Sequence, residues 1–233
     1  MKASKVKSKL HKFWKEWRLT ICIILFIIIP VKSSIADWNW VPTGSMKPTI
    51  LEGDLIFVNK LAYDLRIPLT TYRIAKWSDP QRGDIVICFS PEDNTRLVKR
   101  VIAVPGDKIQ VENNVVFLND KPLEYSQPDE DLLKILPADE QSEFTIKTEA
   151  LDELTHLLMT SYSKSQYENY DTVIVPQCFC FVMGDNRDYS KDSRAFGFVP
   201  RKSIVGKAGS IIISFDITSD YSPRLERFFK SIR

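Results

Sequence analysis

Residues 97–118 read LVKRVIAVPGDKIQVENNVVFL. Three runs rich in β-branched residues, at 97–104, 108–111 and 115–118, are separated by Pro105-Gly106-Asp107 and by Asn113-Asn114. Short runs bounded by such residues read as strands, and the Asn-Asn pair fits a tight hairpin turn. In a strand, alternate side chains share a face, so Lys99 lies with Leu97 and Val101. A lysine flanked this way is either desolvated or snorkels at a sheet edge.

The same pattern recurs at 55–58, 84–89, 172–175, 178–183 and 204–215, with Gly53-Asp54 and Gly83-Asp84 as further turn signals. The chain therefore reads as mostly β. Residues 119–170 differ, with twelve acidic and four basic side chains. Leu151, Leu154, Leu157 and Leu158 stand at helical spacing, which predicts a helix over 148–162. This stretch reads as an inserted surface subdomain, with a substrate-specific lid as the rival.

The formal net charge of +2 conceals an asymmetry. Residues 1–18 hold seven Lys/Arg against one acid, Glu16, and the other residues carry a net charge of −4. A basic head on a faintly acidic body is a poor nucleic-acid binder. Ahead of the apolar run at 19–31 it has the look of membrane topology. That run has 13 residues, short of the about 20 that a bilayer core requires. Trp14 and Trp17 before it, Trp38 and Trp40 after it, and a snorkelling Lys32 extend it. A cleaved signal peptide, with Ser34-Ile35-Ala36 as its processing site, is the competing reading.

Four cysteines, Cys22, Cys88, Cys178 and Cys180, read as small thiols, with a Cys88 bridge to a later cysteine as the alternative. None has zinc-site spacing with histidines. Only two histidines exist. His11 precedes the apolar run and His156 falls in the acidic stretch, so a Ser-His-Asp triad lacks its base. A serine nucleophile then needs a lysine, whose usual pKa of about 10.4 must be lowered by burial.

Two loops offer partners. In Pro42-Thr43-Gly44-Ser45-Met46-Lys47-Pro48-Thr49, prolines stiffen both sides of Ser45. The Thr43 hydroxyl and the Ser45 amide have the spacing to form an oxyanion hole. The polar loop 183–194, MGDNRDYSKDSR, directly follows an apolar strand. It supplies hydroxyls to orient an amine and an Asp/Arg set to brace itself. A calcium loop is disfavoured because the acidic twelfth ligand is missing.

Together these elements resemble the bacterial type I signal peptidases, or leader peptidases. The matching residues are Ser45-Met46 just past a membrane run, and Lys99-Arg100 followed by Pro105-Gly106-Asp107. The last is Gly184-Asp185-Asn186-Arg187 continuing through Ser190, Asp192, Ser193 and Arg194; Gly83-Asp84-Ile85-Val86 resembles a further box. The resemblance covers about 37–118 and 171–215. It implies Ser45 as nucleophile, Lys99 as neutral-amine base, Ser190 orienting that amine, and Thr43 with the Ser45 amide as oxyanion hole. It further implies a bracing pair Asp192–Arg194, and Val41, Met46, Ile50 and Val98 lining pockets for small residues at −1 and −3.

The resulting expectation has four parts. Residues 1–18 are a cytoplasmic basic segment and 19–37 an uncleaved anchor. Residues 38–118 and 171–233 form a catalytic domain of coiled antiparallel β-sheet, and 119–170 a small inserted α/β subdomain. By the resemblance the chain is an endopeptidase of the bacterial cytoplasmic membrane, N-terminus inside, acting on exported preproteins near the translocation machinery. It contacts membrane lipid and no nucleic acid, and needs no metal or cofactor. Its rivals are a non-catalytic secretion scaffold and a self-cleaving Ser/Lys repressor-type protease. In the tail, 221–233, basic and apolar residues at helical spacing predict an amphipathic helix, lying on the membrane or packed as a cap.

Overall fold

The computed structural model describes residues 14–70, 72–129, 143–163, 165–218 and 220–232. His11, five of the seven N-terminal basic residues and the middle of the acidic stretch lie outside them. The N-terminal helix α1, Trp14–Ile35, has 22 residues and is long and apolar enough to cross a membrane. At 1.5 Å per residue it spans about 33 Å, so the apparent shortness of the apolar run is resolved by its flanks. Pro30 cannot donate to the helix ladder, and the turns on either side, Ile24–Ile28 and Val31–Ile35, widen to π geometry. The helix closes at Ile35, two residues before the expected boundary. Trp38 and Trp40 belong to the first strand.

In chain order the strands are β1 (Ala36–Trp40), β2 (Asp54–Asn59), β3 (Asp64–Arg66), β4 (Arg73–Lys76), β5 (Ile85–Phe89), β6 (Arg96–Ala103), β7 (Lys108–Glu112) and β8 (Val115–Leu118). There follow β9 (Lys121–Pro122), β10 (Glu124–Ser126), β11 (Phe144–Leu151), β12 (Leu154–Ser161), β13 (Tyr170–Ile174), β14 (Phe179–Met183), β15 (Val199–Pro200) and β16 (Ile204–Ser214). Seven form one coiled antiparallel sheet in the order β1-β2-β16-β5-β6-β14-β15. A second sheet runs β13-β7-β8-β9, a third β10-β11-β12, and β3-β4 is a ribbon. The decisive stretch 97–118 thus supplies β6, β7 and β8, and β7 and β8 pair across the turn at Asn113-Asn114, both at positive φ.

Two expectations are corrected. The predicted helix over 148–162 is a β-hairpin, β11 on β12, with Leu151 opposite Leu154. Its turn residue Asp152 has φ 55°, and Thr145, Ile146, Thr155 and Thr160 favour strand. The described parts of 119–170 supply the strands β9 to β12 and the start of β13. The tail is no amphipathic helix either: it holds one 3-10 turn at Leu225–Arg227 and then runs beside β16, where Ser231 bridges Ser210. Arg227 is buried in an ion pair with Asp54, and Ile232 joins the main core, so the cap reading fits. A single turn cannot offset the cost of helix nucleation, and burial of those two side chains decides the path instead.

Candidate active site

Ser45 sits in a 3-10 turn, Gly44–Met46, between β1 and β2. Met46 and Ile50 are driven into the core, 1% and 0% exposed, and pin the turn from below. The Ile50 N–H donates to the Met46 carbonyl, and the Lys47 N–H to that of Gly44. Ser45 is left half-buried and Thr43 exposed beside it.

Lys99 lies on β6, between β5 and β14, opposite Val86. It is 2% exposed, which settles the choice between burial and snorkelling. Desolvation pulls its pKa below the usual lysine value, against the attraction of Asp192, Cys88 and Asp185. The Cys88 thiol cannot supply an opposing charge at neutral pH, because burial pushes its own pKa up to about 12. All four cysteines are free thiols. Lys99 Nζ donates to Ser45 Oγ at 2.6 Å, joining residues 54 positions apart.

The polar loop after β14 closes the far side. Asp192 accepts the Gly184 N–H at 3.0 Å and pairs with the Arg194 guanidinium at 2.8 Å, all buried. It also caps the short helix α2, Ser193–Phe196, by accepting the Arg194 N–H. Gly184 abuts Ser190 Oγ and the Ser45 carbonyl. Ser190 is 1% exposed, and its hydroxyl makes no hydrogen bond here, so the expected contact with Lys99 is not formed.

Sequence reasoning missed the bolts between these parts. Arg100 is fully buried and grips Asp185 with two bonds, at 2.8 and 2.7 Å. Thr49 donates its hydroxyl to the same carboxylate at 2.5 Å. Asn186 donates its backbone N–H to the Ser45 carbonyl and its side-chain amide to that of Gly44, each at 3.2 Å. The hairpin β11–β12 continues the chain of contacts: the Met159 N–H donates to Asp185 and the Arg187 N–H to Met159. Glu149 and Arg187 form a buried pair at 2.6 Å, and the His156 Nε2 lies 3.3 Å from Glu149. Burial opposes the Glu149 charge, yet Arg187 and His156 hold its pKa well below the carboxylate range. Burial and Arg100 push His156 below the ordinary histidine value.

A cavity of about 390 Å³ opens beside Ser45, bounded by Thr43, Ser45, Asn186, Tyr189, Phe144 and Met159. Of the expected pocket residues, Val41, Met46 and Ile50 are buried in the main core, and the half-buried Val98 packs against them. They cluster under the Ser45 turn, but they do not line this cavity. The aromatic wall had one legible signal, Tyr189 next to Ser190. Phe144 had none, since its approach to Ser45 is purely tertiary.

A family profile described as signal peptidase, peptidase S26, matches residues 14–213. The signal peptidase I of Rickettsia akari is 38% identical over 237 residues, covering 93% of this chain and 86% of its own. That of Rickettsia felis is 37% identical over 242 residues, with 94% and 86% covered. The Buchnera aphidicola protein of the same name is 36% identical over 225 residues, with 82% and 72% covered.

Proposed function

The chain belongs to the signal peptidase I family of serine peptidases, peptidase S26, and from that membership we propose a cycle residue by residue. Neutral Lys99 accepts the Ser45 hydroxyl proton, and Ser45 Oγ attacks the carbonyl before the cut. The Thr43 hydroxyl and the Ser45 N–H stabilise the tetrahedral oxyanion. Protonated Lys99 returns the proton to the leaving amine, which departs as the new N-terminus. Lys99 then deprotonates a water that hydrolyses the acyl-enzyme. Ser190 orients the amine once substrate is bound, and Asp192 with Arg194 braces the loop that carries it.

The observation that carries this reading is the 2.6 Å contact between Ser45 Oγ and a 98%-occluded lysine, 2% exposed and depressed in pKa by desolvation. An ammonium donates across that contact, and the neutral amine accepts across it, so deprotonation turns the same geometry into a base–nucleophile pair.

The substrates are exported preproteins, cut after small residues at −1 and −3, with Val41, Met46, Ile50 and Val98 shaping the shallow floor. Helix α1 crosses the cytoplasmic membrane with its basic end inside, as the positive-inside rule directs, and the β domain faces out beside the translocation machinery. An uncleaved anchor is favoured by the state of the alternative processing site: Ser34 is buried at the end of α1, and Ala36 is paired with Asn59 in the sheet. Ser34 is thus held in helical backbone, and Ala36 is already committed to the first strand of the sheet. The test is a preprotein cleavage assay on reconstituted enzyme with Ser45→Ala and Lys99→Arg. Both must be inactive, since a guanidinium cannot give up its proton, and retained cleavage in either would sink the dyad.

A further inference from the structure

The cavity beside Ser45 is larger than the proposed preference for small residues explains. A methyl group is about the size of a water, whose share of liquid volume is about 30 Å³. The cavity, at about 390 Å³, exceeds that by an order of magnitude. One wall is apolar and aromatic, formed by Phe144, Met159 and Tyr189, while Thr43, Ser45, Lys47, Glu52 and Asn186 line the rest. Met159 is 0% exposed, and the Phe144 and Tyr189 rings meet edge to face with centroids 5.5 Å apart. Tyr189 is 61% exposed, an aromatic ring held open at the cleft. The charges at the rim, Lys47 and Glu52, pair with each other at 3.4 Å and place no demand for a charged ligand. Clefts of this make-up hold large apolar side chains.

Chain geometry selects which substrate residue enters. Side chains of an extended strand alternate in direction. When −3 and −1 face the enzyme, −2 and +1 face away, and the next inward positions are −5 and +2; −5 lies about 13 Å before −1, whereas the cavity adjoins Ser45 itself, which leaves +2. We propose that this cavity is a subsite for the side chain two residues beyond the cut, that it prefers a large apolar or aromatic group, and that Phe144 and Tyr189 set this preference. The inference rests on the proposed cleavage after small −1 and −3 residues. It gives the hairpin β11–β12 a part in substrate selection, because Phe144 and Met159 both belong to it.

The experiment uses full-length enzyme in detergent micelles. Quenched peptides carry Ala at −3 and −1, Gly at +1, and Gly, Ala, Leu, Phe or Asp at +2; parallel sets vary −2 and +1 instead. For Leu or Phe at +2, kcat/KM is expected to exceed that for Gly by about tenfold, the size expected for partial burial of one such side chain. In Phe144→Ala and Tyr189→Ala that ratio collapses towards one, and Tyr189→Phe preserves it. A flat +2 series overturns the inference, as does selectivity confined to −2 or +1, or a +2 ratio that survives both alanine variants. Should a variant fail to fold, the wild-type series decides alone. Failure to cut any Ala-x-Ala peptide is a different result: it overturns the proposed cleavage preference itself.

Discussion

Gly184 faces the Ser45 carbonyl with no room for a methyl group between them, and a Cβ there would also strike Ser190 Oγ. The backbone of the polar loop is thus packed directly on the back of the Ser45 turn.

Gly184→Ala is therefore expected to displace Ser45 from Lys99. Overpacking of this kind costs about 1–3 kcal/mol of stability. A shift of about 1 Å at the dyad costs about 100-fold in rate. Thermal melts and kcat/KM on one peptide separate the two effects. Near-normal kcat/KM in this variant would show that the turn has slack.

The buried lysine gives activity and stability a shared pH dependence. Its folded pKa lies below its unfolded value. Between those two values the unfolded chain binds the extra proton, so stability rises with pH through that window and is lost as pH falls through the folded pKa. If Lys99 is the base as proposed, cleavage is expected to rise over the same lower edge as the amine becomes neutral. Lys99→Met, inactive but free of the buried charge, should melt higher than wild type at neutral pH, with the gap narrowing as pH rises towards about 10. Parallel melts of the two proteins check this, and a gap that ignores pH contradicts it.

Breaking the Glu149–Arg187 pair leaves a carboxylate at 0% exposure without its guanidinium. Arg187→Met should destabilise the protein by about 3–5 kcal/mol, the range for an orphaned buried charge. Glu149→Gln combined with Arg187→Met should recover part of that loss. Urea midpoints for the single and double variants provide the comparison.

The tail is expected to hold the domain together. Deleting 221–233 removes Ile232 from the core and leaves Asp54 without Arg227. Loss of a buried aliphatic side chain alone costs about 2–5 kcal/mol. The melting temperature should fall markedly, while binding of an anchor-free domain to anionic vesicles changes little. Equal melting temperatures with weakened vesicle binding would restore the membrane-helix reading.

Local pattern carried the sheet and the chemistry unevenly. Strand alternation around Lys99 and the turn residues of 97–118 are short-range facts, and they gave β6, β7 and β8 directly. Leu151, Leu154, Leu157 and Leu158 satisfy a helical period by coincidence: a two-residue turn sets Leu151 and Leu154 three apart, and Leu157 and Leu158 follow on the same strand as Leu154. The β-branched neighbours and Asp152-Glu153 were the better guide. Arg100 was legible only as Lys99's neighbour. That it grips Asp185, 85 residues away, is a property of the assembled sheet. The same holds for Phe144 beside Ser45.

The end of α1 is tied to the body at several points. Ser33 Oγ accepts the Leu69 N–H, and Lys60 Nζ donates to the carbonyls of Lys32 and Ser33. Ser45 follows Ile35 by only ten residues, five of them in β1. At about 3.3–3.6 Å per residue, Ser45 can stand no more than about 35 Å from the helix end. Helix α1 is thus clamped at one end, with Ser45 on a short lead from it. Under the proposed membrane orientation this short lead sets an upper limit on the height above the lipid at which a bond is cut, so distance joins the flanking residues as a selector.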